Sequence, residues 1–326
     1  MLRARIIGTG SYLPEKIWTN KDLEEFCDTS DEWIRKRTGI EQRHVAPEEH
    51  GVTDLAIGAA EMALENAEVA PDEVDAIIFC TVTPDQLLPA SGSLLQKRLG
   101  ASNAAAFDLN AACSGFLYGL ATADSYIRSG LFKTVLLIGA EIQTNRMTWE
   151  NRDTAVLFAD GAGAVVLRAE EGERGVLTTH LGSDGEHYEV LHLPMAGSRT
   201  PITKENIDDK PYTIYMKGPE LFKRAVKKFP EVSQQALDAT GLTYDDIALF
   251  IPHQANLRII EAAGQRMGID PERVFVNIQK TGNTTAASIP IALHQALCEG
   301  RIKEGDNLLL AAFGAGLTWA SAIIKW

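Results

Sequence analysis

The chain has 326 residues, 45% hydrophobic and 23% charged, an ordinary globular composition that excludes a coiled coil, a collagen or a disordered chain. Its 31 basic and 44 acidic residues leave a formal charge of −13, which argues against binding a phosphate backbone. No apolar run reaches the ~18 residues of a membrane span, positions 1–8 lack a signal peptide pattern, and Cys27, Cys80, Cys113 and Cys298 form no CxxC, so a soluble, cytoplasmic protein without metal or disulfide framework is expected.

Gly8-Thr-Gly10 follows a strand pattern, but a third spaced glycine is missing and Pro14 breaks the helix that a dinucleotide site needs. A polar insert with Trp33 and Arg37 occupies 19–49. An apolar strand is expected at 74–80, a helix at 92–99 and a strand at 105–109. The small-residue corner Ala111-Ala-Cys-Ser-Gly115 leads into a helix apolar on most faces, so that helix is expected to be buried. A strand at 134–139 and a glycine-hinged ribbon at 158–167 complete this half. Gly161-Ala-Gly163 runs into a β-branched strand and is no nucleotide loop.

A second insert, with Pro194, Pro201 and Pro211, covers about 183–217. A helix begins near Gly218, with Lys223, Arg224, Lys227 and Lys228 forming a basic strip suited to an acidic partner. The first pattern then recurs about 170 residues later: strand 245–251, helix 257–267, strand 274–278, corner 281–285, a helix, strand 307–311 and ribbon 312–319. Strands alternating with helices give an α/β fold with buried, largely parallel strands. The repeat predicts two duplicated halves, 1–172 and 173–326.

Cys113 falls where a strand gives way to a helix N-terminus, which favours a thiolate and a lowered pKa. From the residues alone it is either a nucleophile or a buried structural thiol. His253 follows the strand at 245–251, at the end where α/β folds place chemistry. Under an offset of 170, Asn283 takes the place of Cys113 in the second half, unless it is simply a turn asparagine. Phe313-Gly-Ala-Gly316 is either a hairpin turn or a backbone N–H donor that completes an oxyanion hole with Cys113. The order Cys, His, Asn imitates papain-like proteases, but their flanking motif is absent.

Over its whole length the sequence resembles the type III β-ketoacyl-[acyl-carrier-protein] synthases of the thiolase fold. The resemblance is carried by Gly8-Thr-Gly-Ser-Tyr-Leu-Pro14, Asp28-Thr-Ser-Asp-Glu-Trp-Ile34, Arg37-Thr-Gly-Ile40, Ala111-Ala-Cys-Ser-Gly-Phe116 and Asp160-Gly-Ala-Gly-Ala164. In the second half it is carried by Pro252-His-Gln-Ala-Asn-Leu-Arg-Ile259, Gly282-Asn-Thr-Thr-Ala-Ala-Ser288 and Ala312-Phe-Gly-Ala-Gly316. It implies a five-layered α-β-α-β-α fold. It also implies decarboxylative condensation of a short acyl-CoA primer, acetyl-CoA expected, with malonyl-acyl carrier protein, initiating fatty acid synthesis.

Cys113 would carry the acyl group as a thioester, and the N–H groups of Cys113 and Ala315 would form the oxyanion hole. His253 and Asn283 would stabilise the enolate. Trp33 and Arg152 would sandwich the adenine of CoA, with Thr29, Arg37, Gly218, Phe222, Ala255 and Asn256 along the pantetheine tunnel. Lys223 and Arg258 would dock the carrier protein. Leu88 would line the primer pocket from the partner of a homodimer; it is smaller than the aromatic of some relatives and would admit longer or branched primers. CoA thioester is a substrate, and no cofactor, metal, nucleic acid or membrane is implied. The chain departs from the family pattern at Arg152-Asp153 and at Gly314-Ala-Gly316, where relatives have Arg-Gly and three glycines. The alternative is a thiolase-fold condensing or acyl-transferring enzyme of secondary metabolism with another acceptor.

Overall fold

The computed structural model describes residues 2–149, 151–194, 197–209 and 213–326; Pro211 of the second insert lies outside them. Five strands form the first sheet: β1 (Leu2–Tyr12), β2 (Ala76–Cys80), β3 (Ala105–Leu109), β4 (Thr134–Glu141) and β5 (Gly161–Glu171). Their order is β1-β5-β4-β2-β3, with β3, β2 and β4 parallel and β5 and β1 antiparallel. The second sheet holds β6 (Gly175–Ser183), β7 (Leu249–Pro252), β8 (Asn307–Gly314) and β9 (Thr318–Lys325), in the order β7-β8-β9-β6. Only its β7–β8 pair is parallel.

The apolar runs explain the layers. Every residue of β2 and β4 is buried, as in strands covered on both faces. The first insert carries helix α1 (Asp31–Thr38). Ile77 and Phe79 face the first outer layer, where α2 (Val52–Ala67) and α3 (Ser91–Leu99) pack. Ile78 and Cys80 face the middle of the molecule. There α4 (Gly115–Arg128) contributes Phe116, Leu120 and Ile127. The helix after the second corner, Ser288–Cys298, contributes Ile289, Leu293 and Ala296 from the second half. On the far side α5 (Gly218–Thr240) and α6 (Leu257–Met267) press Phe229, Val232 and Met267 onto Phe250, Leu309 and Ile323. With Ser288–Cys298 as α7, the five layers are helix, sheet, helix, sheet, helix. The glycines at 8 and 10 belong to this packing: a Cβ there would fall on the carbonyl oxygens of Ala63 and Ala59 in α2.

The halves match at an offset of 173, not 170. Ala76 corresponds to Leu249, Thr134 to Asn307, Ala112 to Thr285 and Gly115 to Ser288. Cys113 therefore corresponds to Ala286, and Asn283 to Asn110. The first ribbon starts at Gly161 rather than at 158; Phe158 instead bridges to Asn283.

No strand forms at 274–278. A single bridge joins Phe250 to Val274, and a short helix, Ile278–Thr281, begins at the end of the run. The reason is Gln254, which is fully buried. Its amide accepts from the N–H of Asn277 at 3.1 Å and donates to the carbonyls of Phe275 at 3.1 Å and Pro252 at 2.8 Å. One side chain thus satisfies backbone groups that a ladder would otherwise pair.

At Gly163 an added Cβ would lie 2.6 Å from the Ile291 nitrogen and 2.8 Å from the Pro290 carbonyl carbon. Gly163→Ala is expected to lose about 2 kcal/mol or more in urea unfolding. Gly185→Ala, whose Cβ meets nothing within 4 Å, is expected to stay within about 0.5 kcal/mol.

Candidate active site

Cys113 sits in a one-turn 3-10 helix, Ala112–Ser114, that connects β3 to α4. The preceding Ala112 has φ 47°, and its counterpart Thr285 has φ 51°. Positive φ is uncommon outside glycine, and it occurs here at the corner before each central helix. An asparagine braces each corner: Asn110 Oδ1 accepts from the Ala112 N–H at 3.2 Å, and Asn283 Oδ1 from the Thr285 N–H at 2.9 Å. The second brace commits the oxygen of Asn283 to the backbone. Its Nδ2 is the end left for a guest.

Two cavities meet at Cys113. One, of about 560 Å³, is lined by Cys113, His253 and Asn283 and runs out past Phe222 and Asn256 to Trp33 and Arg152. Arg37, Gly218, Ala255 and Arg258 also line it. The other, of about 430 Å³, lies beyond Cys113 and is mostly apolar, with Phe158, Leu191, Ile214 and Ala315 in its wall. Along the chain these residues stand in separate motifs; the fold brings them onto two joined spaces. Thr29, Lys223 and Leu88 line neither cavity.

The thiol is not the activated thiolate expected from its position. Burial pushes it up to about 12, the Glu141 carboxylate adds to this, and the N–H groups of Ala315 and of Cys113 itself oppose it. Desolvation is the largest of these influences, and α4 itself begins only at Gly115. The two opposing N–H groups both lie against the sulfur, beside which an oxyanion would form when the sulfur attacks a thioester. Ala315 reaches this place without a positive φ, so the methyl that replaces a glycine hydrogen carries no backbone strain. The glycine that matters is Gly314: a Cβ there would sit 2.6 Å from the Cβ and 2.9 Å from the Sγ of Cys113.

His253 follows β7 and is 1% exposed. Burial lowers its pKa to about 3, so the ring is neutral. Nδ1 lies 2.5 Å from the Ser288 hydroxyl oxygen, which also accepts from the Gln254 N–H at 3.3 Å. The Ser288 oxygen can accept from Gln254 while its own proton is donated to Nδ1, and in that tautomer Nδ1 is the ring's acceptor. The ring's own proton then sits on Nε2, which is buried without a partner. His253 and Asn283 thus offer two neutral N–H donors beside a thiol. Ser288 and Gln254 were not singled out from sequence. Ser288 lies 35 residues from its histidine, and only its presence in the run Gly282–Ser288 marked it.

At the cavity mouth Arg152 stacks on Trp33, its guanidinium carbon 4.8 Å from the ring centroid, while its NH1 donates to the Asp28 carbonyl at 3.0 Å. Arg258 lies 5.4 Å over Phe222. A flat aromatic guest must part Arg152 from Trp33 to enter between them. The expected basic strip is partly neutralised: Arg224 pairs with Glu220 at 2.9 Å and Lys228 with Glu231 at 2.6 Å. Lys223, on the same helix, is exposed.

The profile of the family described as 3-oxoacyl-[acyl-carrier-protein] synthase III matches residues 107–185, and that of its C-terminal part matches residues 237–326. A protein of Caldanaerobacter subterraneus subsp. tengcongensis named beta-ketoacyl-[acyl-carrier-protein] synthase III is 50% identical, over 100% of this chain and 98% of its own. One of the same name from Clostridioides difficile is 47% identical, over 99% and 98%. The crystal structure of the 3-oxoacyl-[acyl-carrier-protein] synthase III of Aquifex aeolicus matches with a TM-score of 0.93 at 47% identity, over 99% of this chain and 100% of that one.

A thiol held up to about 12 is protonated at neutral pH, and its thiolate fraction rises about tenfold per pH unit below the pKa. Alkylation of Cys113 by iodoacetamide, read by peptide mass, is expected to climb in that way from pH 7 to 9. A plateau below pH 8 would show an activated thiolate instead.

Proposed function

The chain belongs to the β-ketoacyl-[acyl-carrier-protein] synthase III family, and from that premise we propose how its own residues carry the reaction. The enzyme condenses an acyl-CoA with malonyl-acyl carrier protein, the step that initiates fatty acid synthesis. One observation carries the assignment of roles: Cys113 stands at the junction of two cavities, with the neutral donors of His253 and Asn283 in one and an apolar pocket in the other.

CoA enters the larger cavity, its adenine between Trp33 and Arg152 and its pantetheine arm past Arg37, Gly218, Phe222, Ala255 and Asn256. The acyl chain passes Cys113 into the second cavity. The sulfur attacks the thioester carbonyl, and the N–H groups of Cys113 and Ala315 hold the oxyanion. The Cys113 proton leaves with the CoA thiol, so the exchange is proton-neutral. No resident cofactor is needed, because CoA is the leaving group.

Malonyl-carrier protein then uses the vacated cavity, its acidic surface drawn to Lys223 and Arg258 near the mouth. His253 Nε2 and Asn283 Nδ2 hydrogen-bond the malonyl thioester oxygen. As CO₂ leaves, the negative charge gathers on that oxygen, where two preorganised donors in a dry site stabilise it most. The enolate carbon attacks the acyl group, and the Cys113 thiolate is released and reprotonated. Neutral donors suit this step: a protonated imidazole is already denied by the burial that lowers His253 to about 3.

The protein works as a cytoplasmic homodimer in this reading; among the described residues no helix is long and apolar enough to cross a membrane. Leu87 and Leu88 are each 86% exposed. A third cavity, lined by Leu87 and by residues of the 193–200 segment, shares Val82, Arg146 and Tyr188 with the acyl pocket. The acyl pocket thus opens toward these leucines, and the partner's copy of the loop would close it. Leucine leaves more room there than an aromatic ring, which favours longer or branched primers.

His253→Ala and Asn283→Ala are each expected to lose condensation by roughly 10²-fold or more while Cys113 still takes acyl groups from acyl-CoA, read by intact mass. Equal loss of both half-reactions would overturn the roles of His253 and Asn283 as enolate donors. Sedimentation is expected to give twice the 35.5 kDa chain mass, shifting to one chain in the double variant Leu87→Glu, Leu88→Glu. A monomer at assay concentration would refute the shared pocket.

A further inference from the structure

The wall of the acyl pocket holds a buried polar atom that its neighbours leave unmatched. Gln143 lies just past β4, is 1% exposed and lines the pocket beside Thr83 and Thr285. Its backbone is pinned, the N–H donating to Asp160 Oδ1 at 2.7 Å. Its side-chain nitrogen donates to the Thr285 hydroxyl oxygen at 2.8 Å and reaches Glu141 Oε2 at 3.4 Å.

These contacts fix which way the amide faces. Glu141 is fully buried, and the oxygen it turns toward Gln143, Oε2, accepts from the Thr83 hydroxyl at 2.7 Å and the Val82 N–H at 3.2 Å. The Gln143 NH₂ faces that oxygen and the Thr285 hydroxyl, and its own oxygen faces away from both. Both amide protons are engaged, and Oε1 is buried with no hydrogen-bond partner. The Thr83 hydroxyl gives its proton to Glu141, and the Thr285 hydroxyl lies on the NH₂ end of the amide.

A fully apolar guest leaves this oxygen unmatched, while a guest with a hydroxyl supplies the missing donor. We propose that the acyl pocket takes primers bearing a hydroxyl on a short chain, the hydroxyl donating to Gln143 Oε1; this rests on the reading of Cys113 as the acyl acceptor. Gln143 is then a specificity-determining residue, and its fixed orientation comes from Glu141 and Thr285. A site built around an unpaired acceptor discriminates against the analogue that lacks the donor more sharply than an apolar pocket discriminates between alkyl chains.

The test compares kcat/KM for 3-hydroxybutyryl-CoA, 4-hydroxybutyryl-CoA and butyryl-CoA with malonyl-carrier protein. In the unaltered enzyme at least one hydroxylated primer is expected to match or exceed butyryl-CoA. In Gln143→Leu and Gln143→Met the ratio of hydroxylated to plain primer is expected to fall about tenfold, the loss of one hydrogen bond. Using the ratio divides out any general loss of activity in the variants, and the unaltered enzyme decides the case if both variants fail to fold. The proposal is overturned if butyryl-CoA exceeds both hydroxylated primers in the unaltered enzyme, or if the ratio is the same in all three proteins. Failure of Cys113 to acquire any acyl group, acetyl included, sinks instead the reading beneath it.

Discussion

The arrangement depends on one close contact: a helix of the second half lies directly on the sheet of the first. A Cβ at Gly139 would collide with the Ala286 carbonyl oxygen, and one at Gly163 with the Ile291 backbone. Those two glycines let the 286–291 segment settle onto β4 and β5. The contact carries the 283–288 corner across to the 110–114 corner, so that Ala286 Cβ lies 3.4 Å from where a Cβ of Gly115 would stand. Gly314 then brings β8 against Cys113 from the other side. Cys113, Ala315, His253 and Asn283 come from four segments, and their convergence follows from backbone that has no side chain in the way.

The same dense packing sets the electrostatics. Cys113 is held up to about 12, Glu141 up to about 8 and His253 down to about 3, and burial is the first cause in each. All three are driven toward their neutral forms. Such a site gives little support to standing charge. It is suited to charge that appears briefly on the substrate, where N–H donors are already aimed and no water has to reorganise. Glu141 shows how strong the burial is, since the hydroxyls of Thr81 and Thr83 and the backbone N–H groups of Val82 and Ala286 favour its ionised form without overcoming it.

The duplication is kept in the central elements and divided in chemistry. Cys80 and His253 end equivalent strands, Asn110 and Asn283 brace equivalent corners, and Cys113 faces Ala286 as its counterpart. The first half holds Cys113, while the second has His253 and Asn283 at positions that in the first half are a buried thiol and a brace. Each half supplies what the other lacks, and neither corner alone has both parts.

The strands at 74–80 and 134–139, the helices at 92–99 and 257–267 and the half-length repeat were legible because buried parallel strands are continuous apolar runs and amphipathic helices repeat their spacing. Cys113 and His253 stand at the corner and strand end where the sequence pattern put them, whereas Asn283 was reached through an offset of 170 that the structure replaces with 173. The strand expected at 274–278 does not form because an apolar run does not record that a glutamine side chain, twenty residues earlier, takes its hydrogen bonds. The thiol departs from expectation because a helix terminus can be seen in a sequence and desolvation cannot. Ser288 against His253, Gln143 against Glu141 and Thr285, and Gly314 against Cys113 are pairings between distant segments. By itself the sequence determined the kinds of element, their order and the candidate chemistry, since these follow from local patterns. Tertiary structure decided which groups touch, which are dry and which protons they hold, since those depend on what the rest of the chain packs around them.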